Sequence, residues 1–260
     1  MKLNPWRKLF IGISILTSLI LQQGEAPADC RPAEPVRTSK CSYLHVLQTH
    51  NVLGPVELFA SPAHSLMKLP KLDSTIFLDC RKKVPEVLVV SPRKRTFYQV
   101  DLDKFDYGLS RTLDTVTDLD MNSKAWKLVE KKITQGMTIS HYVHRGIVRA
   151  NEEFATFLPG KTGNTTVKSE YQTGVSPLAP SALCHLLKKM EHVPDLGGVP
   201  LQMYTSYSGK SFKRQQISTS RIETISIPEL KHPSLTGLRR TDTSADAFFG
   251  NIQMMDLLGK

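Results

Sequence analysis

EVLVVSPRKRTFYQV, residues 86–100, holds the decisive pattern of this chain. Glu86 to Val90 is a run of apolar, mostly β-branched residues. Ser91-Pro92-Arg93-Lys94 breaks it with turn formers, and Thr96 to Val100 resumes an extended pattern. Two such runs about a short polar break are the signature of a β-hairpin. The same logic extends upstream to strands at Val56–Ala60, Leu66–Leu69 and Thr75–Leu78, each separated by proline or charge. Downstream, Ala125–Ile133 and Met137–Val143 form a second hairpin about Gln135-Gly136. There Trp126, Leu128 and Ile139 alternate with polar positions, predicting one buried and one wet face. Phe154–Leu158 and Val167–Tyr171 flank a Gly- and Thr-rich loop. Val199–Tyr207, Lys210–Ile217 and Arg221–Ile227 read as a last meander, turned at Ser208-Gly209.

Helical signals are few. Leu183, Leu186, Leu187 and Met190 follow the i, i+3, i+4, i+7 stripe of a helix over 181–192, opened by Pro180-Ser181 and stopped by Pro194. A second helix is expected over 245–258, with Ser244 as its cap and Phe248, Phe249, Ile252 and Met255 as its apolar stripe. The aspartate-rich 103–120 stretch predicts a short helix. Strands outnumber helices and do not alternate with them, which excludes a nucleotide-binding α/β fold and places the chain in the α+β class.

The chain starts with an export signature. Lys2, Arg7 and Lys8 precede the apolar run Leu9–Leu21, and Ala26-Pro27-Ala28 follows. Basic, apolar and A-x-A segments in that order predict a secretory signal peptide over 1–28, cleaved near Ala28. The run is shorter than the roughly 20 residues that span a bilayer. The expected location is therefore periplasmic or secreted. Residues 29–55, proline-rich at Arg31-Pro32-Ala33-Glu34-Pro35, are expected to form an extended leader.

The formal charge is +10 over 260 residues. Its densest clusters, Arg81-Lys82-Lys83 and Arg93-Lys94-Arg95, fall short of a dedicated nucleic-acid patch and suit a basic surface facing anionic envelope material. Four cysteines in an exported chain allow three pairings. Cys30 and Cys41 are the disulfide candidates because a bridge there would staple a proline-rich stretch; Cys80 and Cys184 remain.

Catalytic and cofactor patterns fail on physical grounds. Ala155 to Thr162 approximates a phosphate loop, but Pro159 removes a donor and Gly163 to Val167 is turn and strand rather than helix, so a hairpin loop is expected. His141 and His144 are three apart on a strand and point to opposite faces. Asp101, Asp103 and Asp106 lack the glycine and closing glutamate of a calcium loop. Cys184 and His185 are helix neighbours that diverge by about 100° and form no nucleophile–base pair. Tyr204 and Tyr207 make a poor stacking platform for nucleic acid. No enzyme, cofactor, metal or nucleic-acid partner is expected.

The hairpin at Ser91-Pro-Arg-Lys94 comes before a connection through Phe105 and the hairpin Trp126–Met137. Gly197-Gly-Val-Pro200-Leu201 follows the helix, and the order closes on Ile225-Ser-Ile-Pro-Glu-Leu230 and His232-Pro233. Over residues 56–240 this order resembles exported bacterial outer-membrane lipoprotein carriers of the LolA/LolB type and their uncharacterised relatives. The resemblance implies a curved, mostly antiparallel half-barrel with a few helices against its concave face; the C-terminal helix expected over 241–260 and the early cysteines depart from it. It also implies a non-enzymatic binder or carrier of an apolar or lipidated ligand in the cell envelope, such as a lipid or a lipidated protein. No acyl-binding residue of the family maps onto this chain by motif. Leu186, Leu187 and Met190 are the expected lining of a hollow between sheet and helix. The alternative is a structural or protein-interaction component of the envelope without a small-molecule ligand. A lined cavity favours the first and a filled core with exposed patches favours the second.

Overall fold

A computed structural model describes residues 40–51, 53–107, 122–149, 164–208 and 213–249. The expected signal segment, Cys30, the Phe154–Leu158 strand, the Ala155–Thr162 loop and the chain after 249 lie outside these residues.

Among the described residues twelve strands form one sheet. They are β1 (Lys40–His50), β2 (Gly54–Ala60), β3 (His64–Leu69), β4 (Ser74–Asp79), β5 (Glu86–Ser91), β6 (Thr96–Asp101), β7 (Lys127–Thr134), β8 (Met137–Arg149), β9 (Asn164–Val175), β10 (Val199–Tyr207), β11 (Lys213–Pro228) and β12 (Arg239–Arg240). Their spatial order is β12-β6-β5-β4-β3-β2-β1-β11-β10-β9-β8-β7. Every pairing is antiparallel except β12 on β6. Two meanders, β1–β6 and β7–β11, meet where β1 pairs with β11.

The half-barrel with a few helices on its concave face, expected from the family resemblance, is corrected here. The sheet is a single open one of 12 strands, and the described residues hold two α-helices: α1 (Ser181–Glu191) and α2 (Ser244–Phe248). Strand takes sequence that was expected to be something else. Lys40–His50, read as part of a leader over 29–55, is the central strand β1, and its Tyr43, Leu44 and Val46 are buried. Proline at 32 and 35 marks a leader, but Tyr43, Leu44, His45 and Val46 are buried in succession, as in a strand covered on both faces. The two expected strands over 210–227 join as one, β11, because a bulge lies opposite Leu47/Gln48.

Local chemistry explains the turns and caps. Gln135 and Gly136 both have positive φ, 52° and 73°. Such a pair matches the twist of a two-residue hairpin, and its glycine carries no steric cost. Helix α1 follows Pro180 and ends at His192, which adopts a left-handed conformation before Pro194. Helix α2 is capped by Thr243, not Ser244: the Thr243 Oγ1 accepts from the Asp246 N–H at 3.1 Å. Ser244 is buried and donates to the Asp106 carbonyl.

The main core joins Leu44, Val46, Leu58, Met67, Ile76, Leu78, Val87 and Val89 of the sheet to the α1 stripe and to Phe248. Phe77, Leu88 and Val90, the alternate residues on β4 and β5, pack with Leu235 and Leu238 of the chain after β11. Both faces of β4 and β5 are thus buried. A polar network runs through the core. Glu191 pairs with His50, whose other ring nitrogen meets Gln48 at 3.0 Å. Gln48 donates to the Pro200 carbonyl at 2.5 Å and to Thr219 at 3.0 Å. The network ties the end of α1 to β1, β10 and β11. Each of its groups has a partner, as burial requires.

Candidate functional site

Three surface features emerge from this sheet. The first is a charged ladder across β3, β2, β1 and β11. Lys68 contacts Glu57 at 2.7 Å, Glu57 contacts His45 at 3.2 Å, His45 contacts Glu223 at 2.9 Å, and Glu223 contacts Arg221 at 2.8 Å. His45 stacks on Phe59 with ring centroids 4.6 Å apart, and the Lys68 ammonium lies 5.0 Å from the same ring centroid. Both His45 nitrogens lie within hydrogen-bond distance of carboxylate oxygens, Nδ1 of Glu223 and Nε2 of Glu57. Burial acts to raise the Glu57 carboxyl, but Lys68 and His45 outweigh it and hold it below its ordinary value. The hydrogen bond from His45 lowers Glu223, with Arg221 adding to it against some burial.

The second is a groove of about 580 Å³ over β8–β11, with Gln135 of the β7–β8 turn on its rim. Glutamines 172, 202 and 215 line it with Gln135, above the apolar Ile139, Leu201 and Ile222. Gln172 and Gln202 are directly opposite each other on β9 and β10. Arg221, the end of the ladder, also lines the groove. The hydroxyls of Thr219 and Ser220 are turned to backbone, donating to the carbonyls of Leu201 and Leu47. Nearby, Glu170 gathers Lys168 at 2.6 Å, His141 at 3.2 Å and the Tyr204 hydroxyl.

The third is the edge strand β7. It pairs with β8 alone, and all eight of its residues are exposed. Leu128 is 53 %, Val129 56 % and Ile133 79 % open. The expected alternation holds for Trp126, which is buried, but Leu128 is exposed. An edge strand has neighbours on one side only, so alternation there does not guarantee cover. The opposite sheet edge, β6, is covered by β12. That pairing sets exposed Arg239 and Arg240 beside the Arg93–Arg95 turn, with the Arg239 N–H donating to the Arg95 carbonyl at 2.8 Å.

The residues expected to line an apolar hollow sit elsewhere. Leu186, Leu187 and Met190 each keep 1 % exposure in the main core, and none borders the groove. A side chain beside a space wide enough for an acyl chain would keep surface open to a water-sized probe. Cys41, Cys80 and Cys184 form no disulfide with one another. Burial pushes the Cys184 thiol up, which disfavours a thiolate beside exposed His185. His141 turns to Glu170 while His144 lies against Trp126, ring centroids 5.3 Å apart. Among the described residues no group of three His, Cys, Asp or Glu side chains could hold a metal ion, and no helix is long and apolar enough to cross a membrane.

The groove glutamines were not singled out by sequence. They are scattered over three strands and a turn, and only the strand register brings them together. Compared with known proteins, the chain matches no family model and no curated protein sequence.

Proposed function

We propose that this chain is an exported, non-enzymatic interaction component of the cell envelope that receives a partner strand on β7. The observation that carries this is the open edge: eight exposed residues in a row, with Leu128, Val129 and Ile133 uncovered. A free edge offers unpaired N–H and C=O groups to an added strand, and flanking apolar side chains supply contact area. Lys127, Lys131 and Lys132 on the same strand keep the edge soluble and favour an acidic partner segment. Export is supported by the charge–apolar–A-x-A order of the first 28 residues. The filled core around Leu186, Leu187 and Met190 favours this reading over carriage of an apolar ligand.

Site-specific photo-cross-linking in the host tests it, with the probe at Val129 or Lys131 and a control at exposed Val84. Adducts of discrete mass at the β7 positions, absent at Val84 and lost in the Leu128→Lys/Ile133→Lys double variant, support the assignment. Equal labelling at all three positions rejects it.

A further inference from the structure

The groove over β8–β11 has a composition that selects a ligand class. Gln135, Gln172, Gln202 and Gln215 all border it, and among the described residues none of their side-chain amides has a hydrogen-bond partner. Each amide can donate two hydrogen bonds and accept two. The one charged lining side chain, Arg221, is already matched by Glu223 at 2.8 Å. The groove therefore presents a dense set of neutral groups that both donate and accept, beside apolar surface. Beside the groove β10 and β11 diverge, pairing with each other only over Met203–Ser206 and Lys213–Ile217, and side chains reach across the gap: Gln48 donates to the Pro200 carbonyl and Thr219 to the Leu201 carbonyl.

We infer that this groove is a binding site for a neutral, polyhydroxylated chain, a short stretch of uncharged glycan. Sugar hydroxyls are themselves paired donors and acceptors, and amides complement them without desolvating a charge. The half-buried Ile139 and Ile222 offer apolar surface that suits the C–H faces of a sugar ring. A volume of about 580 Å³ falls within the range of sites for small ligands. No aromatic ring lines the groove, so binding is weak and read through hydroxyl edges. This site is separate from the β7 edge, and the two assignments stand or fall independently.

The full exported chain, titrated with the tetrasaccharides of β-1,4-N-acetylglucosamine, β-1,4-glucose and α-1,4-glucose and with tetragalacturonate, tests the inference by amide-resolved NMR. Saturable shifts confined to residues around Gln172, Gln202 and Gln215 are expected with at least one neutral sugar, and weaker ones with the acidic sugar. Gln172→Leu/Gln202→Leu should weaken that binding about tenfold or more, since each lost hydrogen bond leaves a sugar hydroxyl unpaired. Both positions are only half-buried, so the variant should melt as the parent does. If it does not, Gln215→Leu, at an exposed position, serves instead and should also weaken binding. No saturable shift with any neutral sugar, tighter binding of tetragalacturonate, or undiminished binding by the folded variant would each overturn it.

Discussion

Leu187→Ala reads whether the core beneath α1 is filled or hollow. Leu187 is 1 % exposed and packs in the main core with Leu183, Leu186 and Met190 of its own helix. Truncation removes three buried carbons, worth about 2.4 kcal/mol at about 0.8 kcal/mol per carbon. The space left behind adds to this wherever neighbours fail to collapse, and buried Leu→Ala changes span about 2–5 kcal/mol. We expect a loss of about 3 kcal/mol in urea unfolding at constant m value. Ile133→Ala on β7, at a site 79 % open, is the control and should stay within about 0.5 kcal/mol. On a solvated helix face the Leu187 change would be neutral or slightly stabilising, because alanine is the better helix former. A loss below about 0.5 kcal/mol would therefore show that the α1 stripe borders open space and would sink the filled-core argument.

Other outcomes follow from particular residues. Gly198 has φ +80°, and a Cβ there would lie 2.7 Å from the Gly174 carbonyl oxygen, whereas Gly197 at φ +75° has nothing within 4 Å. Gly198→Ala should thus cost more than Gly197→Ala, which carries only the left-handed penalty of about 1–2 kcal/mol; equal melting temperatures would contradict the close approach. Asp79, Glu57, Glu86, Glu170 and Glu223 all have carboxyls held below their ordinary values. Lowered folded-state values mean the stabilisation is complete above the unfolded values of 3.8 and 4.5 and is lost as pH falls through the folded ones. The urea midpoint should drop with acid below that range, less steeply in Glu57→Gln; a midpoint flat to pH 3 would refute the ladder's contribution. Burial, aided by Asp79, pushes the Cys80 thiol up to about 11, so native protein at pH 8 should alkylate there far more slowly than urea-unfolded protein, as peptide mass mapping would show.

The hairpins were legible because their signals are local. Residues 86–100 and the Gln135-Gly136 turn carry strand and turn in adjacent residues, and the α1 stripe falls within eleven residues. What lay beyond the sequence depends on register. Strand β1 sits next to a proline-rich stretch, and its place at the centre is fixed by pairing with β11, some 180 residues away. The parallel β12 is two arginines long, too short for any pattern. The expectation of several helices on a concave face came from family resemblance, whereas propensity favoured strands. The groove shares this limit, since glutamines on separate strands have no common signal until the register aligns them.

Hydrogen–deuterium exchange of the full chain tests the open edge most directly. Strand β7 is bonded on one side only, while β1 is bonded to β11 and, from Leu44 to His50, also to β2. The outward-facing amides of Lys127–Thr134 should exchange within seconds, near free-peptide rates, while those of β1 persist to global unfolding. Protection of every β7 amide to the level of β1 would mean the edge is covered, and would contradict the proposed strand-addition site.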